Sequence, residues 1–253
     1  MYGLMTGSGA ERGRDLKMKR TVIFTGSRMA EARDARSYLE ALGYQAVTVP
    51  EEICLWDETA LRSFAEPYAP SLLGVVHPAP ERILGSVESV SEEQWDRALN
   101  EGPLAAWCVT KVFCSLMKEN GGGNMIYLNS IHAEKPVGNG ALFSMGCGAV
   151  QMLAREANQD YSQYNINIYF IQKGITPTDP DSRSPVSGVY FGTDLRYPRR
   201  EMPPEGHLNG LIAFLLRPEA APLSGADLRA DGGMTMFYTH RRKVEGRPYR
   251  ENG

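Results

Sequence analysis

Ser130 and His132 are the two side chains whose types and spacing most directly suggest catalysis. They stand two residues apart, where a short apolar run ends. A serine hydroxyl and an imidazole are the nucleophile and base of a hydrolytic site, but that chemistry also needs a carboxylate that orients the histidine. The sequence identifies no such carboxylate. Two interpretations stay open: a hydrolytic pair, or a serine that belongs to another type of site and neighbours a loop histidine.

Cys147 is the second candidate nucleophile. It lies between Gly146 and Gly148 near the start of a predicted helix, where the helix dipole can lower the pKa of a thiol. Since no base is identifiable, we favour a small buried apolar residue instead. The cysteines lack CxxC spacing and the histidines lack metal-ligand spacing, so we expect no metal site and expect each histidine on the surface or in a loop. These residues are Cys54, Cys108, Cys114 and Cys147, and His77, His132, His207 and His240.

A third group of candidates is the set of arginines in residues 176–206, a stretch rich in Pro, Ser and Arg. They could meet an acidic ligand such as an acyl-CoA phosphate, although solvated loop residues are the simpler interpretation. The position of this stretch, before the last predicted helix, is typical of a lid over a sheet edge. The arginines are Arg183, Arg196, Arg199 and Arg200.

Composition excludes several function classes. The chain has 253 residues, a formal charge of −3 and a pI near 5.9, so nucleic acid and anionic membranes are not expected partners. No apolar run has the roughly 18 residues of a membrane span, and the absence of a leader pattern predicts the cytoplasm. Residues 1–20 are predicted to be a flexible extension, whose "TGSGAERG" follows no strand and so has no expected nucleotide role. The basic tail 239–253 is predicted to be solvated.

The elements that must position these side chains alternate between strand and helix from residue 21 onward. The strands are short and apolar throughout, as in "TVIFTG", "LLGVVHPAP" and "NMIYLNS", and each is followed by an amphipathic helical segment. One long helix is predicted from Ser91, which forms a capping box with Gln94. This alternation predicts an α/β fold: a single doubly wound Rossmann-type domain over 21–238, with a parallel sheet and helices on both faces.

Several motifs resemble those of the short-chain dehydrogenase/reductase family over residues 20–237. "TGSRMAEA" stands in the place of the TGxxxGxG loop, "VVHPAP" in that of the NNAG strand end, and "YLNSI" in that of the catalytic serine strand. "KGITPT" replaces PGxxxT, and "LSGADLRADGGMTM" is similar to the C-terminal strand and turn. The resemblance implies a catalytic tetrad of Asn, Ser, Tyr and Lys and a bound NAD or NADP.

Only Ser130 is retained from that tetrad. The Tyr position falls on Phe143 and the Lys position, four residues later, on Cys147; the Asn position falls on Gly102. A phenyl ring cannot exchange a proton with a substrate oxygen, and a thiol supplies neither the cation nor the reach to a ribose. Because each lost group is worth orders of magnitude in rate, we expect no family chemistry from this chain.

The cofactor positions are altered as well. Only Gly26 remains of the loop glycines, since Ala30 and Ala32 replace the others and Glu31 adds a negative charge beside the expected phosphate position. Pro78 and Pro80 replace residues with backbone donors, and Lys173 replaces the Pro of the PG motif. We therefore expect this chain to bind no dinucleotide.

These losses favour a non-catalytic subunit of a heteromer. The expected partner is a catalytic short-chain dehydrogenase/reductase subunit that holds NAD and acts on a hydroxyacyl-CoA of the benzylsuccinate β-oxidation type. The resemblance implies contact through the helices near 91–119 and 143–163, which pair across a dimer axis in the family. Two alternatives remain: a stand-alone divergent oxidoreductase that uses Ser130 or Cys147, and a non-catalytic nucleotide or acyl-CoA sensor.

Overall fold

The first strand and helix form as their sequence patterns predict. The computed structural model describes residues 20–26, 30–136, 138–177, 197–199 and 201–236, and for positions 30 and 31 the backbone only. β1 (Thr21–Phe24) is buried at all four positions, and α1 (Ala30–Ala41) follows it. Gly43, at φ +92°, turns the chain into β2 (Gln45–Thr48). The expectations for the N-terminal extension, the basic tail, and Arg183, Arg196 and Arg200 lie outside the described residues.

The next helices begin at side chains that satisfy their free backbone N–H groups. Asp57 accepts hydrogen bonds at the start of α2 (Glu58–Ala65), and Ser91 and Gln94 form the predicted capping box of α3 (Glu92–Leu99). The buried strand β3 (Leu72–Pro78) lies between these helices. The first N–H groups of a helix have no partner within it, and here the capping side chains accept their hydrogen bonds in place of water.

The prediction of one long helix from Ser91 to the glycines at 121–123 is wrong in one respect. A π-helical turn over Asn100–Leu104 separates α3 from α4 (Ala105–Glu119), and the Ala105 N–H donates to the Asn100 carbonyl five residues earlier. Pro103 lies inside this turn. A proline has no N–H and its ring crowds the preceding turn of a regular helix, so the wider turn at this point has a direct cause in the sequence.

The second half of the chain supplies three strands and two helices. β4 (Gly123–Ser130) leads to α5 (Ala141–Tyr161), β5 (Ile166–Lys173) follows, and α6 (Asn209–Leu215) precedes β6 (Asp227–Ala230). The stretch "GHLNGLIAFLLRPEA" predicts a helix over 206–220. α6 is shorter, because the chain passes into a 3-10 turn that begins at Pro218. Residues in a proline-containing segment cannot continue an α-helix in the usual way.

The six strands form one parallel sheet in the order β2-β1-β3-β4-β5-β6. α2, α4 and α5 pack on one face of the sheet, and α1 and α6 pack on the other. The predicted doubly wound α/β fold is therefore confirmed. The strand order reverses between β1 and β3, which places the topological switch point at the carboxyl ends of these two strands. Within the described ranges, none of the helices is both long and apolar enough to cross a membrane.

Candidate functional site

A cleft of about 570 Å³ lies at the carboxyl ends of the strands. Its walls come from the ends of β1, β3, β4 and β5 and from the segment after β2, so it covers the switch point where ligands bind in this architecture. The lining includes Gly26, Pro78, Ser130, Phe143 and Lys173. The fold thus brings these five residues, all singled out from the sequence, into one site together with Pro80 and His132.

Ser130 uses its hydroxyl to begin a short turn. The Ser130 Oγ accepts a hydrogen bond from the backbone N–H of His132 at 3.3 Å, and the His132 Nδ1–H donates to the carbonyl of Lys135 at 2.9 Å. Both side chains are more than nine-tenths buried and line the cleft. The contact between the two residues is therefore a turn cap, whereas a nucleophile–base pair would join the hydroxyl to the imidazole.

Phe143 lies in the wall of the cleft with only 7 % of its surface exposed. Its ring meets the His132 ring edge-on at a centroid distance of 5.7 Å. The guanidinium carbon of Arg82 lies 5.5 Å from the same ring centroid, within the range of a cation–π contact. The position that the resemblance assigns to the catalytic tyrosine thus carries a phenyl ring, which contacts a histidine and an arginine.

Cys147 lies in the second turn of α5 and is fully buried. Burial raises the pKa of its thiol to about 12, because desolvation disfavours the thiolate. The alternative prediction, in which the helix dipole lowers this pKa, is therefore not supported. A thiol that stays protonated at neutral pH is a poor nucleophile, so Cys147 acts as the small buried residue that we favoured from the sequence.

Pro78 and Pro80 line the cleft and pack against three glycines, of which Gly26 lines it too. A Cβ atom added at Gly26 would lie 2.5 Å from Pro78 Cγ. One added at Gly102 would lie 3.2 Å from Pro80 Cβ, and one added at Gly146 would lie 3.4 Å from the same ring. A side chain at Gly102, the position that the resemblance assigns to the asparagine, would therefore require the Pro80 ring to shift by a few tenths of an ångström.

His77 occupies the buried end of β3 beside the cleft. Its Nδ1 lies 2.7 Å from the Thr25 hydroxyl, and burial lowers the pKa of the imidazole to about 4. The ring is therefore neutral at physiological pH. Together with Pro78 it stands where the family's strand end has its asparagines.

Ala32, on α1, packs in the hydrophobic core. The side chains of Ala30 and Glu31 lie outside the described residues.

Acidic residues line the opposite part of the cleft. Glu51 and Glu52 follow β2, and Trp56 contributes an aromatic wall beside them. Near the middle, Arg97 forms ion pairs with both Glu81 and Glu101, and desolvation together with Glu81 raises the pKa of Glu101. Of the four arginines in the predicted lid, Arg199 lies within the described residues, and it is exposed.

Sequence reasoning missed the acids and the arginine of this cleft. Arg82 follows the "HPAP" strand end by two residues, and Glu51 and Glu52 follow the second strand directly. Residues just after the carboxyl ends of parallel strands line the ligand cleft of an open α/β sheet. That rule could have selected Arg82, Glu51 and Glu52, which the motif comparison did not consider.

A doubly wound parallel sheet with a cleft at its switch point defines a nucleotide-binding type of architecture. Residues 58–235 match the model of the family described as "Enoyl-(Acyl carrier protein) reductase". The chain therefore belongs to the short-chain dehydrogenase/reductase family. The matched region begins at α2, so β1, α1 and β2 lie outside it.

Relatives of known sequence are about one-quarter identical to this chain over the regions that align. The 3-oxoacyl-[acyl-carrier-protein] reductase MabA of Mycobacterium tuberculosis H37Rv is 25 % identical over 147 residues, which span 58 % of this chain and 59 % of that protein. MabA of Mycobacterium avium is 23 % identical over 91 % of this chain and 96 % of its own length. The 2-(S)-hydroxypropyl-CoM dehydrogenase 3 of Xanthobacter autotrophicus is 26 % identical over 71 % of this chain and 72 % of its own.

Solved structures support the fold. ElxO with NADP bound superimposes with a TM-score of 0.77 at 16 % identity, covering 87 % of this chain and 100 % of that one. A variant of ElxO in which a tyrosine is replaced by phenylalanine, with NADPH bound, gives the same score and coverage. At this identity the likeness establishes the architecture alone.

Proposed function

We propose that this chain is a cytoplasmic, non-catalytic subunit that supports an active NAD-dependent hydroxyacyl-CoA dehydrogenase subunit in a heterotetramer. The two-subunit 2-[hydroxy(phenyl)methyl]succinyl-CoA dehydrogenase of anaerobic toluene degradation, with its inactive second subunit, is the arrangement that we have in mind. The observation that carries the proposal is the contact of Pro80 with Gly102 and Gly146. A side chain at Gly102, the position that we assign to the family's asparagine, would crowd the Pro80 ring. α5 carries Phe143 and Cys147 at the positions that we assign to the tyrosine and the lysine.

The lost groups are those that move the proton in this family. Phe143 has no hydroxyl to pass a proton to a substrate oxygen, and the buried Cys147 supplies no cation that would lower the pKa of a neighbour. Ser130 remains, but its hydroxyl already accepts the His132 N–H. A single hydroxyl without an acid cannot complete hydride transfer, because the substrate oxygen must gain or lose a proton in the same reaction.

The prolines supply the argument against a dinucleotide in this chain. The ElxO variant with phenylalanine in place of a tyrosine is described with NADPH bound, so Phe143 alone is no argument against binding. Pro78 and Pro80 are different, since they remove backbone donors and Pro78 lies against the single remaining loop glycine, Gly26. A pyrophosphate needs backbone N–H groups and close approach at this point. We therefore place NAD in the partner subunit.

The face that would meet the partner is formed by α4 and α5. Large apolar side chains there keep more than a third of their surface exposed, which is costly unless a partner covers them. They are Trp107 on α4 and Met145 and Met152 on α5, with Leu104 in the turn just before α4. Met145 and Met152 are seven residues apart and so share one side of α5. In the family these two helices pair across a dimer axis, which is why we assign them to the catalytic partner.

A titration and a reconstitution test this function. The purified chain is titrated with NAD and NADP by calorimetry, and then co-expressed with a short-chain dehydrogenase that retains the tyrosine and lysine. We expect no dinucleotide binding by the chain alone, and NAD-dependent oxidation of a hydroxyacyl-CoA only with the partner. In that complex, Ser130→Ala in this chain should leave the rate unchanged, whereas removal of the partner's tyrosine should abolish it. Micromolar NAD binding by the chain alone would contradict the proposal.

A further inference from the structure

Apolar side chains form much of the wall of the cleft. They come from the segments that follow β2 and β3, from α5 and from the segment after β5. We call this surface the apolar wall, and its main members are Leu55, Trp56, Pro78, Pro80, Phe143 and Ile175. The apolar wall thus reaches from the β2 end of the cleft to the β5 end.

Part of the apolar wall is open to solvent. Trp56 keeps 38 % of its surface exposed, and Leu55 and Pro78 are half-buried. Contact between apolar surface and water is unfavourable, so a ligand that covers this surface is stabilised without any specific polar contact. The cleft volume of about 570 Å³ is in the range that holds one small organic molecule.

The acidic side chains of the lining are already paired or solvated. Glu81 and Glu101 both form ion pairs with Arg97. Glu51 and Glu52, which follow β2, are exposed, so water solvates their charge. These four carboxylates therefore give no reason to expect a cationic ligand.

The basic side chains of the lining are engaged as well. Arg82 lies over the Phe143 ring, and both Arg82 and Lys173 interact with other groups of the protein. Within the described lining, these two cations are outnumbered by the four glutamates. An anionic ligand would therefore lose its hydration without gaining a cation that lacks a partner.

The neutral polar groups of the lining also have partners inside the protein. The Thr25 hydroxyl lies 2.7 Å from Nδ1 of His77, and the Ser130 hydroxyl accepts the backbone N–H of His132. The two prolines of the apolar wall have no N–H to donate. The groups that remain for a ligand are thus mainly apolar.

We propose that the cleft is a binding site for a neutral, apolar small molecule that packs on the apolar wall between Trp56 and Phe143. The site concerns binding by this chain itself, so it goes beyond the proposed function. Failure of this proposal would leave assembly with a catalytic partner unaffected, and failure of assembly would leave binding in the cleft unaffected.

The experiment compares a neutral probe with its anionic analogue on the full chain. N-phenyl-1-naphthylamine is neutral and fluoresces more strongly in apolar surroundings, and 8-anilinonaphthalene-1-sulfonate has the same rings with one sulfonate added. Fluorescence titration should show saturable binding of the neutral probe. The sulfonate should bind at least about tenfold more weakly, because its charge would be buried without a partner.

Variants of the lining locate the bound probe. Trp56→Ala should weaken binding of the neutral probe about tenfold, because an aromatic contact is lost. Ala79→Glu places a charge in the lining and should abolish saturable binding, whereas Ala79→Gln should weaken it less. Trp107→Ala is the matched control, since Trp107 is 47 % exposed on α4 and lies outside the described lining. This control should bind the probe as the parent chain does.

Several outcomes would overturn the site. They are equal or tighter binding of the sulfonate, unchanged binding by Trp56→Ala, weakened binding by Trp107→Ala, and no saturable binding of the neutral probe to the parent chain. Thermal melting of each variant shows whether it is folded. If Trp56→Ala does not fold, the comparison of Ala79→Glu with Ala79→Gln provides the second test, and equal binding by these two variants would contradict the proposal.

Discussion

Phe143 and Cys147, at the positions that the resemblance assigns to the catalytic tyrosine and lysine, both have packing roles. The ring of Phe143 keeps contacts with His132 and Arg82, and Cys147 has no exposed surface. A lysine at 147 would bring a charge into a fully buried position, which is costly without a partner or a cofactor. The present residues are therefore consistent with an α5 that stabilises the fold and does not serve a cofactor.

Restoring the two side chains should not restore the reaction. We expect Phe143→Tyr with Cys147→Lys to show no NAD-dependent oxidation of a hydroxyacyl-CoA, because Pro78, Pro80 and Gly102 are unchanged. The buried lysine should lower the free energy of unfolding by about 3 kcal/mol or more. NADH formation is followed spectrophotometrically and stability by urea unfolding, with Phe143→Tyr alone as the folded control. Turnover above that of the parent chain would show that the cofactor site is better preserved than we propose.

His77 should make stability depend on pH. Its pKa of about 4 in the folded chain lies below the ordinary value of 6.5, so the unfolded chain takes up the proton first. Stability from this residue is complete above pH 6.5 and is lost as the pH falls toward 4, by at most about 3 kcal/mol.

Urea unfolding at pH 7 and pH 5 measures this effect. The parent chain should lose about 2 kcal/mol more than His77→Asn over this interval, because asparagine can still bind the Thr25 hydroxyl but does not titrate. Equal losses in the parent and in His77→Asn would contradict the assignment.

At this scale, sequence spacing predicts the tetrad positions, and two of the assigned residues, Ser130 and Phe143, line the same cleft. It could not place Arg82 against Phe143. That contact joins a loop after β3 to the first turn of α5, and its distance is determined by the packing of elements that are far apart in sequence. The pKa of Cys147 was also beyond the sequence, since it depends on burial and not on position in the helix.

At the scale of the elements, the ends of β1 and β3 are coupled through Gly26 and Pro78. A Cβ at Gly26 would overlap the Pro78 ring at 2.5 Å from Cγ. We expect Gly26→Ala to lower the free energy of unfolding by about 1–3 kcal/mol, and by clearly less in a Pro78→Ala background, where Cγ and Cδ are absent.

A double-mutant cycle measured by urea unfolding gives the coupling, expected at about 0.5–3 kcal/mol. Gly210→Ala, on α6 where an added Cβ meets nothing within 4 Å, is the control and should show no coupling to Pro78→Ala. Equal costs of Gly26→Ala in both backgrounds would show that the ring moves freely.

The alternation of elements was readable from the sequence, and so was the parallel sheet, because strand and helix patterns are local. The π-helical turn at Asn100–Leu104 was not, although Pro103 was visible. A proline can end a helix, bend it or widen one turn, and the choice here depends on α3 and α4 packing on their neighbours. Pro218 poses the same choice at the end of α6, which is why that helix is shorter than its sequence pattern predicts.

At the scale of the whole molecule, the proposed assembly depends on the exposed face of α4 and α5. Trp107 is 47 % exposed and contacts Lys111, so it contributes little to the core. We expect Trp107→Asp to weaken association with the catalytic partner at least about tenfold, since aromatic residues at an interface centre often contribute about 2 kcal/mol or more, while the melting temperature stays within a few degrees. Phe214→Asp, an exposed change on α6, is the control that should leave association intact.

Co-purification and size-exclusion chromatography of the two co-expressed subunits give the readout. If Trp107→Asp assembles as the parent does while Phe214→Asp does not, the partner face lies on α6 and the assignment of α4 and α5 is wrong.

Pro80 also restricts the order in which substitutions could rebuild the family's tetrad in this chain. Its ring packs against both Gly102 and Gly146, so an asparagine introduced at 102 would have to push the ring aside. We therefore expect Gly102→Asn to be tolerated better when Pro80 is replaced beforehand, which makes the effect of one substitution depend on the other.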